Sequence, residues 1–261
     1  MTKKLIVNAD DYGLVSSVSE GIIHSHLNGI VTSTTALINI ASDADISRLK
    51  SISTLNAGVH LALTAGQSTL SKNKIPNLVD DGNFFRRKSK NRPVDDYGTL
   101  VFENVPEDEI RREFESQIEK FSAKGLRPSH LDTHHHIHAN EKILDAVISV
   151  AIEYNLPVRS INQEMRDKIR SAGVGTNDFF TGNFFGMKNI NPQNLMLILS
   201  EPGDGITELM CHPGFLSDQL KQVSGYSKER PIEMEVLTGD RLLESISTMN
   251  FELISWLDVM L

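Results

Sequence analysis

An α/β fold, a single (β/α) barrel of about seven parallel strands, is predicted for this 261-residue sequence by three observations. Strand-like apolar runs alternate with helix-like segments from end to end, as parallel α/β architecture requires. No composition break, internal repeat or low-complexity tract divides residues 1–261 into separate units. The length also matches the ~250 residues typical of a (β/α) barrel. Periodicity alone leaves an open parallel sheet as the alternative.

The elements follow in order. Residues 5–8 form a compact apolar run that predicts a buried first strand ending in Asp10 and Asp11. Ser17 and Glu20 have capping-box spacing, and Ile22, Ile23, His26 and Leu27 recur at helical intervals before Gly29. Residues 32–39 are rich in β-branched side chains and predict a second strand. A helix over 45–55 and a third strand over 57–63 come next. Residues 64–104 lose periodicity and include the basic cluster Arg86, Arg87 and Lys88, which predicts a long surface excursion of lid type. Pro106 opens the clearest helix, with Ile110, Phe114, Ile118 and Phe121 on one face and Gly125 as its stop. The remaining expectations are a strand at 129–133, a helix at 141–154, a short strand around Val158, a helix near 192–199 and a strand at 207–211. A helix at 231–249 and a strand at 252–256 complete the count. Most of 162–205 has no readable period.

Bulk properties narrow the function. Hydrophobic residues at 39% and charged residues at 23% are those of a globular protein. A net charge of −8 lacks the Lys and Arg surplus that phosphate backbones demand, so nucleic acid or an anionic membrane is not expected as the main partner. One cysteine, Cys211, cannot form an intramolecular disulfide and reads as a buried thiol. The first apolar run is too short for a signal-peptide core, and no later one approaches ~20 residues, so a cytoplasmic protein is expected.

Chemistry concentrates where acidic and histidine residues meet predicted strand ends. Asp10 and Asp11 follow the first strand, His60 sits in or near the end of the third, and His212 follows the strand at 207–211. Five of nine histidines fall between His130 and His138. Carboxyl ends of parallel strands share one face, so these distant clusters are expected to meet. Strand alternation would place Asp132, His134, His136 and His138 on one side and Leu131, Thr133 and His135 on the other. Mixed carboxylate and imidazole donors suit a divalent ion, which acidifies bound water and polarises a carbonyl. A second carboxylate could then take the water's proton and a separate histidine protonate a leaving amine, the layout of metal-assisted amide or ester hydrolysis.

Plainer readings stand beside these. Asp10 and Asp11 also suit an Asx turn, His60 a satisfied core histidine, and His212, before Pro213 and Gly214, a turn. Trp256 reads as core. Phe84, Phe85, Phe179 and Phe180 lie in irregular stretches and suit either loop anchoring or sugar stacking.

Five segments carry a family resemblance: Asn8-Ala9-Asp10-Asp11-Tyr12-Gly13, residues 29–36, Gly58-Val59-His60-Leu61 with Leu63 and Thr64, His130 through His138, and Met210-Cys211-His212-Pro213. Together, in this order, they resemble the YdjC-like carbohydrate deacetylases, among them the chitooligosaccharide or chitin disaccharide deacetylases. The resemblance implies a distorted (β/α) barrel related to the polysaccharide deacetylases. It implies Asp11, His60 and His134 as metal ligands, Asp10 as general base and His212 as general acid. Asp132, His136 and His138 would then support the ligands or line the substrate. Magnesium is the metal the resemblance implies, while zinc fits the donor types at least as well. The implied substrate is a short oligomer of N-acetylglucosamine such as diacetylchitobiose or its 6-phosphate, and the implied assembly a homodimer. Hydrolysis of another amide or a phosphoester is the alternative, followed by a non-catalytic sugar-binding protein.

Overall fold

The computed structural model describes residues 3–86 and 102–259. Seven strands form one sheet in which every pairing is parallel: β1 (Lys3–Tyr12), β2 (Ser33–Ala36), β3 (Asn56–Leu61), β4 (Leu131–Thr133), β5 (Phe179–Thr181), β6 (Ile206–Cys211) and β7 (Phe251–Leu253). The order is β4-β3-β2-β1-β6-β5, with β7 beside β1. One edge of β1 pairs with β6 from Lys4 to Ala9. The other is shared, its first residues meeting β7 and its last meeting β2.

Two irregular segments carry the ring of backbone hydrogen bonds from β4 round to β5. Leu131 bridges Val158, the Val158 amide donates to Gly175 O at 2.9 Å, and the Asp178 amide donates to Ile206 O at 2.8 Å. The result is the distorted barrel expected. The strand expected around Val158 is reduced to that single bridge, and β5, too short and aromatic to stand out in the sequence, replaces it.

The helices are α1 (Ser16–Asn28), α2 (Asp43–Ser51), α3 (Glu107–Ala123), α4 (Glu141–Tyr154), α5 (Gln163–Ser171), α6 (Pro192–Ser200), α7 (Asp218–Val223), α8 (Arg230–Leu237) and α9 (Leu242–Thr248). The α3 face of Ile110, Phe114, Ile118 and Phe121 is fully buried, as its spacing predicts. Three expectations are corrected. Ser17 does not cap α1, which starts after Val15 with no side-chain cap; its hydroxyl instead meets Ser217 Oγ at 2.8 Å. The helix expected over 231–249 is two helices, because Thr238, Gly239 and Asp240 are poor helix formers that interrupt it. The first strand, expected to end in Asp10 and Asp11, is longer at both ends, running from Lys3 to Tyr12.

The described part of the 64–104 stretch is anchored to the core. Ile75, Leu78, Val79 and Phe85 are buried. From α3, Glu113 accepts the Thr69 and Leu70 amides at 2.8 and 3.0 Å, and Glu109 accepts the Asn77 amide at 2.9 Å. Arg86 donates to Val79 O and Pro76 O, while Arg87 and Lys88 lie outside the described residues. Among the described residues no helix is long and apolar enough to cross a membrane.

Candidate active site

The carboxyl ends of β1, β2, β3, β4 and β6 meet at one end of the barrel. Successive side chains of a strand point to opposite faces, yet both Asp10 and Asp11 face His60. Asp11 takes φ of 73°, a left-handed conformation that costs a non-glycine residue about 1–2 kcal/mol. That twist breaks the alternation and turns the Asp11 carboxylate to the Nε2 side of His60.

His60 is held from both ring nitrogens. Its Nδ1 lies 2.7 Å from Asp132 Oδ1 and 3.1 Å from Thr35 Oγ1, and its Nε2 lies 3.4 Å from Asp11 Oδ1. His134 Nε2 reaches the same Asp11 oxygen at 3.8 Å, while its Nδ1 meets Thr64 Oγ1 at 2.8 Å. The two imidazoles are edge-on at 5.6 Å. Asp11 Oδ2 accepts from Arg230 Nη2 at 2.5 Å.

Asp10 faces the barrel interior. Arg159 donates to its two oxygens at 2.7 and 2.8 Å, and Asn8 Nδ2 donates at 2.8 Å. The same guanidinium meets Asp132 Oδ2 at 2.8 Å and Glu208 Oε1 at 2.8 Å. One fully buried arginine thus serves three buried carboxylates.

A buried group of Asp10, His60 and Asp132 has ligand atoms close enough to hold a metal ion. Its members, however, already bond to one another and to Arg159: the guanidinium engages Asp10 and Asp132, and His60 Nδ1 meets Asp132. On the opposite side of the His60 ring, Asp11 Oδ1 lies 3.4 Å from His60 Nε2 and 3.8 Å from His134 Nε2, with the other nitrogen of each imidazole fixed by Asp132 and Thr64. Metal-binding histidines are oriented in this way, by a partner on the second ring nitrogen. One carboxylate with two imidazoles is a donor set suited to a borderline divalent ion.

The run from His130 to His138 does not alternate as a strand. β4 ends at Thr133, and a 3-10 segment follows in which His135 and His136 adopt φ of 61° and 49°. His134 reaches Asp11. His136 lies against Met210 Sδ at 3.2 Å and the Phe180 ring at 5.5 Å. His138 is buried on Thr133, and His130 stacks on Trp256 at 4.5 Å. The common side expected for Asp132, His134, His136 and His138 on a continuous strand is therefore not kept: the chain unwinds after Thr133, with His134 packed on His135 and His136 on His138.

His212 follows β6. Its backbone amide donates to Glu233 Oε2 at 2.5 Å, and its Nδ1 has no hydrogen-bond partner among the described residues. Cys211 is the buried thiol expected, donating to Asn8 O at 3.4 Å.

Charge follows burial and partners. Burial alone would raise the Asp10 and Asp11 pKa values; Arg159 for the first and Arg230 for the second outweigh it and hold both carboxyls well below the usual range. Burial opposes a proton on His60, but Asp132, Asp11 and Asp10 override it and push its pKa up to about 10. Burial, with the neighbouring His135, drives His134 well down, and burial lowers His212 to about 4. Such divergent shifts gathered in one place mark functional sites.

The sequence relationships decide the family. The family model described as YdjC-like protein matches residues 4–248. The chain belongs to the YdjC-like family. A carbohydrate deacetylase from Clostridium beijerinckii is 37% identical over 98% of this chain and 100% of its own length. One from Thermoanaerobacter pseudethanolicus is 34% identical over 97% of this chain and 98% of its own. An Enterococcus faecalis structure described as a cellobiose-phosphate cleavage protein superposes with a TM-score of 0.89 at 32% identity, covering 100% of both chains. A family 4 carbohydrate esterase from Streptomyces lividans, in complex with acetate, shares the fold at a TM-score of 0.51 and 10% identity over 95% of this chain and 90% of its own. Sequence reasoning places Asp10, Asp11, His60, His134 and His212 of this YdjC-like chain at one end of the barrel but misses the residues that hold them. Arg159, Arg230, Glu208 and Glu233 carry no periodic signal, and a lone charge gives no notice that it is buried, while Thr35 and Thr64 stand inside matched segments with no role assigned to them.

Proposed function

We propose that this chain is a divalent-metal-dependent deacetylase of short N-acetylglucosamine oligomers, releasing acetate from diacetylchitobiose or its 6-phosphate. The chain is an enzyme of the carbohydrate deacetylase class, an amide hydrolase, as its full-length relatives are named. The observation that carries the metal-dependent reading is the convergence of Asp11 Oδ1, His60 Nε2 and His134 Nε2 beside a separate carboxylate, Asp10, and a separate imidazole, His212.

A divalent ion held by Asp11, His60 and His134, magnesium or zinc, would acidify bound water and stabilise the developing oxyanion. Asp10 is positioned by Arg159 and Asn8 and is ionised in the resting site, the form that can take the proton of the attacking water. His212 is neutral in the resting site, and the proton that Asp10 takes from water passes to it, directly or through solvent, favoured by the negative charges of Asp11 and Asp10. From there it protonates the amine as the carbon–nitrogen bond breaks, giving acetate and a glucosamine unit. Asp132 and Thr64 fix the ring orientation of His60 and His134. His136 and His138 lie one layer further out, on Phe180 and Thr133.

The test is acetate release from diacetylchitobiose and its 6-phosphate, before and after chelation and with metal restored. Metal-dependent acetate from either sugar is expected, and Asp10→Asn should lose turnover while keeping its metal. Acetate release that survives complete chelation would overturn metal dependence. The description of the Enterococcus faecalis protein as acting on a cellobiose phosphate favours the phosphorylated disaccharide as the better substrate.

A further inference from the structure

Beside His212 stands a pair of aromatic rings that the reaction itself does not use. Phe185 lies parallel to Tyr226, with ring centroids 4.2 Å apart and planes 9° from coplanar. Both rings are edge-on to His212, at 5.5 and 5.6 Å. Phe185 is nevertheless 44% exposed, unusual for a phenylalanine with one face already stacked.

Tyr226 is fixed from below. Its hydroxyl donates to the buried Glu233, whose other oxygen holds the His212 amide. The same hydroxyl accepts the Gly186 amide at 3.1 Å, which pins the corner that follows Phe185. That corner takes φ of 86°, a conformation suited to glycine. Arg230 reaches the set from the other side, donating Nε to Tyr226 O at 2.9 Å and Nη2 to Asp11. One chain of contacts therefore runs from Asp11 through Arg230 and Tyr226 to Phe185.

We propose that Phe185, backed by Tyr226, is a sugar-stacking floor that binds the pyranose ring adjoining the one deacetylated, and so sets the preference for an oligomer over a monosaccharide. Two parallel rings offer one rigid π face, and the C–H bonds on a pyranose face carry the partial positive charge that a π face attracts. Its position at His212 puts the neighbouring sugar on the side from which the leaving amine is protonated. The inference rests on the deacetylase reading above and names its substrate subsite.

The experiment compares wild type, Phe185→Ala and Phe185→Tyr by kinetics on diacetylchitobiose and N-acetylglucosamine, and by calorimetric binding of the deacetylated disaccharide and glucosamine. Phe185→Ala is expected to raise KM for diacetylchitobiose about tenfold with kcat little changed. It should weaken binding of the deacetylated disaccharide by the same factor and leave both monosaccharides unaffected. Phe185→Tyr, which keeps the ring, should match wild type. Equal losses on monosaccharide and disaccharide, or unchanged disaccharide values, overturn the platform. If the wild type releases no acetate, calorimetry still decides: Phe185-dependent disaccharide binding upholds the platform while the reaction reading falls, and no disaccharide binding overturns the platform.

Discussion

Arg159 grips Asp10 through two parallel hydrogen bonds, Nη1 to Oδ2 at 2.7 Å and Nη2 to Oδ1 at 2.8 Å. Such a fork fixes the carboxylate in position and in charge, which a lysine's single point of contact could not do. The pair lies in the barrel interior with Asp132 and Glu208, so its partners depend on it for more than catalysis.

Removing the guanidinium leaves three buried carboxylates without their shared cation. Arg159→Met is therefore expected to destabilise the fold by about 3–5 kcal/mol, with Arg159→Lys falling between it and wild type. Urea unfolding measures this directly. A loss below about 1 kcal/mol for the methionine variant would show that the carboxylates do not rely on Arg159.

Asp132 orients His60 without reaching the Nε2 side where Asp11 and His134 converge. Asp132→Asn should weaken metal binding about 10–100-fold and lower activity at limiting metal, with partial recovery when metal is raised. Metal titration followed by calorimetry checks it. Wild-type affinity in this variant would place the ion elsewhere.

Glu233 gives stability a dependence on pH. Burial, only partly offset by the His212 amide and the Tyr226 hydroxyl, raises its pKa from 4.5 to about 7. The folded state then holds this proton where the unfolded state has released it, so stability contributed below about pH 4.5 is lost as pH rises through about 7. The difference in unfolding free energy between wild type and Glu233→Gln should shift against wild type over that window, by up to about 1.4 kcal/mol per pH unit. A difference that stays flat from pH 4.5 to 7 would contradict the raised pKa.

Gly21 of α1 presses on the loop that carries His212. A Cβ there would stand 2.4 Å from Gly214 Cα and 2.9 Å from the Phe215 amide nitrogen, and backbone cannot swing aside. Gly21→Ala is expected to cost about 1–3 kcal/mol despite its better helix propensity. It should also lower kcat through displacement of His212. A variant as stable and active as wild type would show that the loop yields freely.

The fold was readable wherever long periods act. The α3 face, the capped α4 and the buried runs of β1, β3 and β6 all declare themselves by apolar spacing. β5 did not, since three residues hold no period, and α5 did not, since only Met165 and Ile169 of its nine residues are buried. In the site, the aspartates and histidines were legible because they cluster at strand ends. What turned them toward one another was not: Asp and His tolerate the left-handed conformation better than most residues, but that tolerance does not say that Asp11, His135 and His136 adopt it. Phe185 escaped notice for a related reason, because its partner Tyr226 lies 41 positions later and the two meet only in the folded chain.

The shared edge of β1 has a consequence for the order of events during synthesis. The strand that ends in Asp10 and Asp11 is made first, but it pairs with β2 at once over only its last residues. Its full opposite edge waits for β6, about two hundred residues later, and its opening residues wait for β7. Contacts this distant in sequence form slowly, because the intervening chain must be gathered before they stabilise anything. A nascent chain on the ribosome therefore carries both aspartates on a half-paired ribbon, and the catalytic end of the barrel is completed only when β6 and Arg230 have emerged, while β7 closes the opposite end.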